Sequence, residues 1–231
     1  MKMNVMIPFD GCAEDSLRYT LRSISENFDY DKIYLVSDKI PDWIKNVIII
    51  PESDTHQHNK DANLIDKVLG AIDFGMSGDF MFWSDDQIIL KKTEPVVTYN
   101  NRDPFTLIPK SKWQRRLLQT AFFIHKMTGI KIDRNFDTHC PQPMNTEKFK
   151  KIRAIDYQSG IGLTICTLYF GMNYPLKAVD QADIKATIEN MNQRKIDLGR
   201  YNYLGYNEKM FNIFVKKFLE KRFEKKSFFE K

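Results

Sequence analysis

The sequence predicts an α/β fold: a mostly parallel sheet with flanking helices and a helical C-terminal half. Three observations predict it. Short apolar runs at residues 5–9, 32–37, 47–50 and 79–84 are each bounded by turn-forming residues. Between them, residues 14–28 and 61–76 carry apolar residues at helical spacing. Strands that alternate with helices in this way favour parallel pairing, because the helices cover a sheet whose strands are buried on both faces.

The first run, VMIPF, is β-rich and ends at a proline. In the following stretch Leu17, Leu21, Ile24 and Phe28 fall at i, i+4, i+7 and i+11, the stripe of an amphipathic helix. KIYLVS and VIII then read as buried strands, with Pro41 and Asp42 turning the chain between them. Leu64, Ile65, Val68, Leu69 and Ile72 form the second helical stripe, closed by Gly75 and Gly78, and DFMFWS is the next strand. Farther on, Trp113, Leu117, Thr120, Ala121 and Ile124 mark a helix, residues 160–170 a buried helix, and residues 207–223 a terminal amphipathic one. Neither a repeat nor a linker interrupts the chain. A single domain over residues 1–231 is expected, with an α/β half at 1–100 and a mainly helical half at 101–231.

Composition narrows the function classes. The 231 residues carry 35 Lys and Arg against 30 Asp and Glu, and +4 of the resulting +5 lies in residues 207–231, with eight basic residues against four Glu. At 42% hydrophobic and 13% aromatic residues, disordered, collagenous and coiled-coil proteins are excluded. Three widely spaced cysteines, Cys12, Cys140 and Cys166, indicate neither a disulfide framework nor a cysteine zinc site. The apolar stretch at 161–172 is far short of the roughly 20 residues a membrane helix needs, and residues 1–11 do not read as a signal peptide. A cytoplasmic protein is expected. The chain has no GxGxxG, no phosphate-binding Walker loop and no GxSxG, which disfavours dinucleotide dehydrogenases, P-loop kinases and nucleophile-elbow hydrolases.

In open parallel sheets, ligands sit at the carboxyl ends of the strands. The sharpest feature there is Asp85-Asp86, which follows FMFW after the single residue Ser84. Two adjacent carboxylates at a strand end suit a hard divalent cation that takes its remaining ligands from phosphate oxygens. The same pair also suits an ordinary turn, with one carboxylate capping backbone N–H groups.

Order and spacing of several segments carry a resemblance. LRYTLRS at 17–23, PDWI at 41–44 and SDD at 84–86 resemble the second conserved region of the Stealth family, whose pattern reads Leu-Arg-Tyr-Ser-Leu-Arg-Ser, Pro-x-Trp-Leu and Asn-Asp-Asp. FDTHCPQPMN at 136–145 is similar to that family's His-x-Pro segment, and the SFFE near the end resembles its closing Ser-x-Phe-Glu. The chain departs from the family at its first region, where VMIPFDG stands, and at Ser84 in place of Asn. Stealth proteins transfer a sugar 1-phosphate from a nucleotide sugar, on a core similar to GT-A glycosyltransferases. The resemblance therefore implies a GT-A-like, Rossmann-like sheet with the nucleotide sugar held by residues 1–100 and the acceptor by residues 101–231.

Within that frame Asp85, Asp86 and His139 are expected to hold Mg or Mn against the diphosphate of a donor such as a UDP-sugar. Pro8, Phe9 and Asp10 would meet base and ribose, with Ser37 and Asp38 at the next strand end. Arg18 and Arg22 lie four residues apart on one helix face, suited to phosphates or to solvent. Lys60, Asn63 and Lys67 lie at or near a helix start, where anions are favoured and where polar clusters are also common. His139, Asp156 and Asp180 are the candidate bases for an acceptor hydroxyl, with Asp86 beside them. His56 and His58 read as surface loop residues, and His125 as a packed one. Lys216, Lys217, Lys221 and Arg222 form a basic face that would meet the acceptor.

Small transferases of this style also look like bacteriophage enzymes that glycosylate hydroxymethylated bases, including arabinosyltransferases acting on hydroxymethylcytosine. DNA is accordingly one expected acceptor. Two alternatives stand beside it: a Stealth-like transferase of surface polysaccharide synthesis, and a nucleic-acid-binding module without catalysis.

Overall fold

The computed structural model describes residues 2–231. In chain order the elements are β1 (Met3–Pro8), α1 (Glu14–Asn27), β2 (Tyr30–Val36), β3 (Ile48–Ile50), α2 (Lys60–Asp73), β4 (Asp79–Phe82), β5 (Ile88–Ile89), β6 (Thr98–Tyr99) and α3 (Lys112–Thr128). They continue as β7 (Gln142–Asn145), α4 (Thr146–Lys150), α5 (Ile165–Met172), β8 (Val179–Asp180), α6 (Gln181–Ile184), β9 (Lys185–Ile188), β10 (Tyr203–Tyr206), α7 (Glu208–Met210) and α8 (Lys216–Arg222).

A five-stranded sheet in the order β3-β2-β1-β4-β7 organises the molecule. It is parallel except at β7, which runs antiparallel to β4 with Phe80 opposite Met144. The middle strand β1 alternates its side chains between two cores, as period-2 geometry requires. Met6 joins Ile65, Val68, Ile124, Phe149 and Leu168 on the face covered by α2, α3 and α5. Val5 and Ile7 join Leu17, Leu21, Ile24 and Trp83 on the face covered by α1. Burial on both faces is why these strands read as unbroken apolar runs.

Local signals place the helix ends. Asn59 caps α2 by accepting from the Ala62 N–H, and Ser111 with Gln114 forms a reciprocal capping box at the start of α3, which stops at Gly129 in the left-handed region. The expected helix over 160–170 starts later, at Ile165, because Gly160 and Gly162 take φ of +63° and +82°. Helices α3 and α5 pack closely at Gly171, where an added Cβ would lie 2.3 Å from Ile124 Cδ1. Gly171→Ala should therefore lower stability by about 1–3 kcal/mol through overpacking, measured by urea unfolding. No loss would show that Ile124 has room to turn away.

Beyond β4 the chain adds strands that no periodicity announced. A small sheet places β10 between β5, antiparallel, and β9, parallel, while β6 pairs with β8. The terminal helix is confirmed: α7 runs through a wide turn at Phe211–Val215 into α8, burying Phe211, Val215 and Leu219 against Tyr19, Ile88 and Leu204. Beyond it the last residues cross back to the first half, where Lys45 N–H donates to the Phe229 carbonyl at 2.9 Å and Lys231 N–H to Trp43 at 2.8 Å. No helix among the described residues is long and apolar enough to cross a membrane.

Candidate functional site

Strand order reverses between β1 and β4, so their carboxyl ends open side by side into one cleft. The chain leaves β1 through Phe9 and Asp10, and leaves β4 through Trp83, Ser84, Asp85 and Asp86. Both exits are held firmly. Trp83 is fully buried and donates from Nε1 to the Gln87 carbonyl at 2.8 Å, while Gln87 Oε1 accepts from the Ser84 N–H at 3.1 Å. Thr20 Oγ1 donates to the Asp85 carbonyl at 2.8 Å. On the other side the buried ammonium of Lys67 donates to the Phe9 carbonyl and pairs with Asp54, each at 2.8 Å.

Three cavities meet at Asp86. The first, about 230 Å³, is walled by Pro8, Phe9, Asp10, Lys60, Asn63, Lys67, Asp85, Asp86 and His139. A second, about 180 Å³, runs from Asp86 and His139 to Lys185, Thr187, Glu189, Gly205 and Tyr206. The widest, about 790 Å³, passes between the start of α1 and the α7 end of the terminal helix and carries six carboxylates, Asp10, Glu14, Asp15, Asp85, Asp86 and Glu208, against one lysine, Lys60. A 430 Å³ depression elsewhere, on the terminal segment, touches none of these groups.

Electrostatics follow from that crowding. Burial, reinforced by the neighbouring charges of Asp86 and Asp10, pushes the Asp85 carboxyl up to about 7. Burial lowers the Lys185 ammonium below its ordinary value, against the opposing pull of Cys140, Asp86 and Glu189. His139 is exposed and holds a left-handed backbone, φ +50°, which costs a non-glycine residue on the order of 1–3 kcal/mol and is found where surrounding structure enforces it.

Nine of the residues singled out in the sequence are thus brought together: Pro8, Phe9, Asp10, Lys60, Asn63, Lys67, Asp85, Asp86 and His139. Others have different employment. Arg18 and Arg22 do face one way on α1, but toward Glu230, whose carboxylate accepts from Arg22 Nε at 2.7 Å, Arg22 Nη2 at 2.8 Å and Arg18 Nη1 at 3.1 Å. Ser37 closes a turn with the Lys39 backbone, and Asp38 accepts from Ser53 Oγ at 2.8 Å; neither lines the three cavities. Asp156 is exposed and caps the Ser159 turn, and Asp180 caps α6 at the Ala182 N–H, so both are cap residues away from the cleft. His56 is paired with Asp66 at 2.8 Å.

The basic face divides in the same way. Lys216 pairs with Asp15 at 2.6 Å, one wall residue of the widest cavity. Arg222 pairs with Glu26, and with Lys221 it lines the 430 Å³ depression at the opposite end of α1, about 16 Å along the helix from Asp15. Lys217 is exposed and lines none of these cavities.

Lys185, Thr187 and Tyr206 were not anticipated. They stand on β9 and β10, four residues each, too short for a period to register. The one available signal was Gly205, since a lone glycine inside a strand marks a close approach.

Among the described residues no group of three His, Cys, Asp or Glu side chains is placed to hold an ion by itself. Mg and Mn bound with substrate phosphates take only one or two protein carboxylates, and Asp85 and Asp86 beside His139 supply such a partial set. The carboxyl of Asp85, pushed up by burial and by its acidic neighbours, is also a group that a nearby cation would relieve.

No family model matches the sequence, and no curated protein matches it. Solved structures do. The glycosyltransferase GlyE of Streptococcus pneumoniae TIGR4 aligns over 96% of this chain at TM-score 0.51 and 12% identity, the chain spanning 60% of that protein's length. The galactosyltransferase LgtC, solved with donor and acceptor sugar analogs, aligns over 95% of both chains at TM-score 0.54 and 8% identity. At such identities the likeness is one of fold: the chain has the GT-A type of α/β architecture.

Proposed function

We propose that the protein is a glycosyltransferase that moves a sugar from a nucleotide sugar to an acceptor hydroxyl. The observation that carries this reading is the convergence of Asp85 and Asp86 with the β1 exit and His139 at the switch point of a GT-A-type sheet. Pro8, Phe9 and Asp10 would receive the base and ribose, on a strand end that Lys67 holds through the Phe9 carbonyl. Lys60, at the N-terminus of the fourteen-residue α2, adds a cation where the helix field already favours phosphate. A Mg or Mn ion held by Asp85 and Asp86, with His139 beside them and its other ligands from the diphosphate, would neutralise charge on the departing nucleotide.

Of the three residues expected to serve as base, His139 lines the cleft while Asp156 and Asp180 serve as caps. Asp86, shared by all three cavities, would accept a hydrogen bond from the donor sugar or the acceptor. The acceptor would enter by the widest cavity. With Asp85 and Asp86 given to the cation and Asp15 paired with Lys216, the remaining carboxylates Asp10, Glu14 and Glu208 repel a phosphodiester backbone and suit a neutral, hydroxyl-rich molecule, because sugar hydroxyls donate readily to carboxylate oxygens. That favours a saccharide acceptor over hydroxymethylated DNA.

The test is a panel of nucleotide sugars with Mn²⁺, offered with oligosaccharides or with hydroxymethylated DNA and read by mass spectrometry. The expected result is a glycosyl mass increment on a saccharide. An increment on nucleosides would restore the DNA reading, and one that includes phosphate would make the reaction the sugar-phosphate transfer of the Stealth type. Failure of every donor to turn over, in transfer or hydrolysis, would overturn the enzyme reading.

A further inference from the structure

Lys185 occupies a place in the cleft that no motif explains. Its side chain runs from β9 across Gly205 of the neighbouring strand so closely that a Cβ on Gly205 would lie 2.5 Å from its Cε and 3.0 Å from its Nζ. Nζ then donates to the Thr138 carbonyl at 3.0 Å. That carbonyl belongs to the peptide plane joining Thr138 to His139, and the φ of His139 is a rotation measured from this plane. Thr138 is itself buried, with its hydroxyl among Thr98 Oγ1 at 2.6 Å, Gln142 Nε2 at 3.1 Å and the Cys140 N–H at 3.3 Å. The plane is therefore held at the side chain by Thr98 and Gln142, and at the carbonyl by Lys185.

We propose that Lys185 is the positioning residue of the site, its ammonium group pinning the Thr138 carbonyl so that His139 is kept in the left-handed conformation that presents its ring to the cavities it shares with Asp86. The inference rests on the transferase reading, because it matters only if His139 serves a metal ion or the reacting groups. Gly205 is part of the device. Its hydrogen side chain is the gap through which the lysine reaches, and its extended backbone accepts any residue, so Gly205→Ala displaces the lysine head without straining the strand. Groups that orient a metal ligand from behind typically carry a 10–100-fold share of the affinity.

The experiment titrates the protein with Mn²⁺ in the presence of UDP, whose phosphates complete the partial ligand set, following the free ion by electron paramagnetic resonance against a protein-free UDP blank, with a thermal melt of each variant. Lys185→Met and Gly205→Ala are each expected to weaken Mn²⁺ binding about tenfold, as His139→Ala does, and to cause no further weakening when combined with His139→Ala. A merely structural lysine would give losses that add to those of His139→Ala, and that outcome overturns the proposal. Unchanged affinity in both Lys185→Met and Gly205→Ala overturns it as well. A wild-type protein whose Mn²⁺ binding ignores the Asp85→Ala, Asp86→Ala pair shows instead that the metal reading has failed, and the role of Lys185 falls with it.

Discussion

Asp86→Asn is expected to lower donor turnover roughly 10³-fold while leaving the melting temperature unchanged or raised. Asp86 lines each of the three cavities, so under the proposed reaction its charge would face donor, acceptor and the diphosphate-bound cation at once. Loss of a preorganised electrostatic group in a partly water-excluded site costs about 10²–10³ in rate, and loss of a metal ligand adds to that. Stability moves the other way, because the ionised Asp86 is one of the charges that push Asp85 up to about 7. The measurement pairs steady-state transfer or donor hydrolysis with a thermal melt. Turnover within a factor of three of wild type would remove Asp86 from the chemistry. A fall in turnover that tracks a fall in melting temperature would mark it as structural.

The second large effect lies far from the cleft. Glu230→Ala should destabilise the fold by about 3–5 kcal/mol, since it leaves Arg22 and Arg18 facing an emptied buried position. The Glu230 side chain has no exposure to solvent and accepts from both arginines and from the N–H and hydroxyl of Ser227. Arg22 also donates from Nη1 to the Phe223 carbonyl at 2.8 Å, so the same guanidinium closes the end of the terminal helix. Burial alone would raise the Glu230 carboxyl. The hydrogen bond from Arg22 and those from Ser227 outweigh it and bring the group down to about 2.

A depression from 4.5 to about 2 is worth about 3 kcal/mol, at about 1.4 kcal/mol per tenfold change in proton affinity. The sign follows from proton counts: between those values the unfolded chain binds the proton and the folded one does not. This contribution is complete above pH of about 4.5 and is lost as the pH falls toward about 2. Urea unfolding of wild type and Glu230→Gln at pH 7 and pH 3 checks it. The gap between the two proteins should narrow on acidification, and a gap that stays constant would refute the pairing as the cause.

The arginines show where reading from sequence stops. Arg18 and Arg22 at helical spacing announce a shared face, and that face exists. Whether it meets a phosphate or a carboxylate depends on Glu230, 208 residues after Arg22, and no local pattern joins them. The SFFE ending is legible only afterwards: Ser227 caps the carboxylate, Phe229 is buried and Glu230 receives the arginines. β7, with sequence QPMN, was hidden for a related reason. Pro143 argues against a strand, yet an antiparallel edge pairing with β4 tolerates it. By contrast, β1, β2, β4, α1 and α2 were readable because each carries enough apolar residues for its period to register.

What the residue order determined alone is the alternation of buried strands and amphipathic helices in the first half, and with it the strand ends where Asp10, Asp85 and Asp86 stand. Apolar periodicity is a local property, and the carboxyl-end rule converts it into a place for chemistry. Tertiary structure alone decided which charges remain in that place. It drew Arg18 and Arg22 away to Glu230, turned Asp156 and Asp180 into caps, and carried Lys185 over Gly205 to the peptide of His139. These outcomes depend on distances of a few ångströms between residues far apart in the chain, set by how β9, β10 and the terminal segment close against the first half.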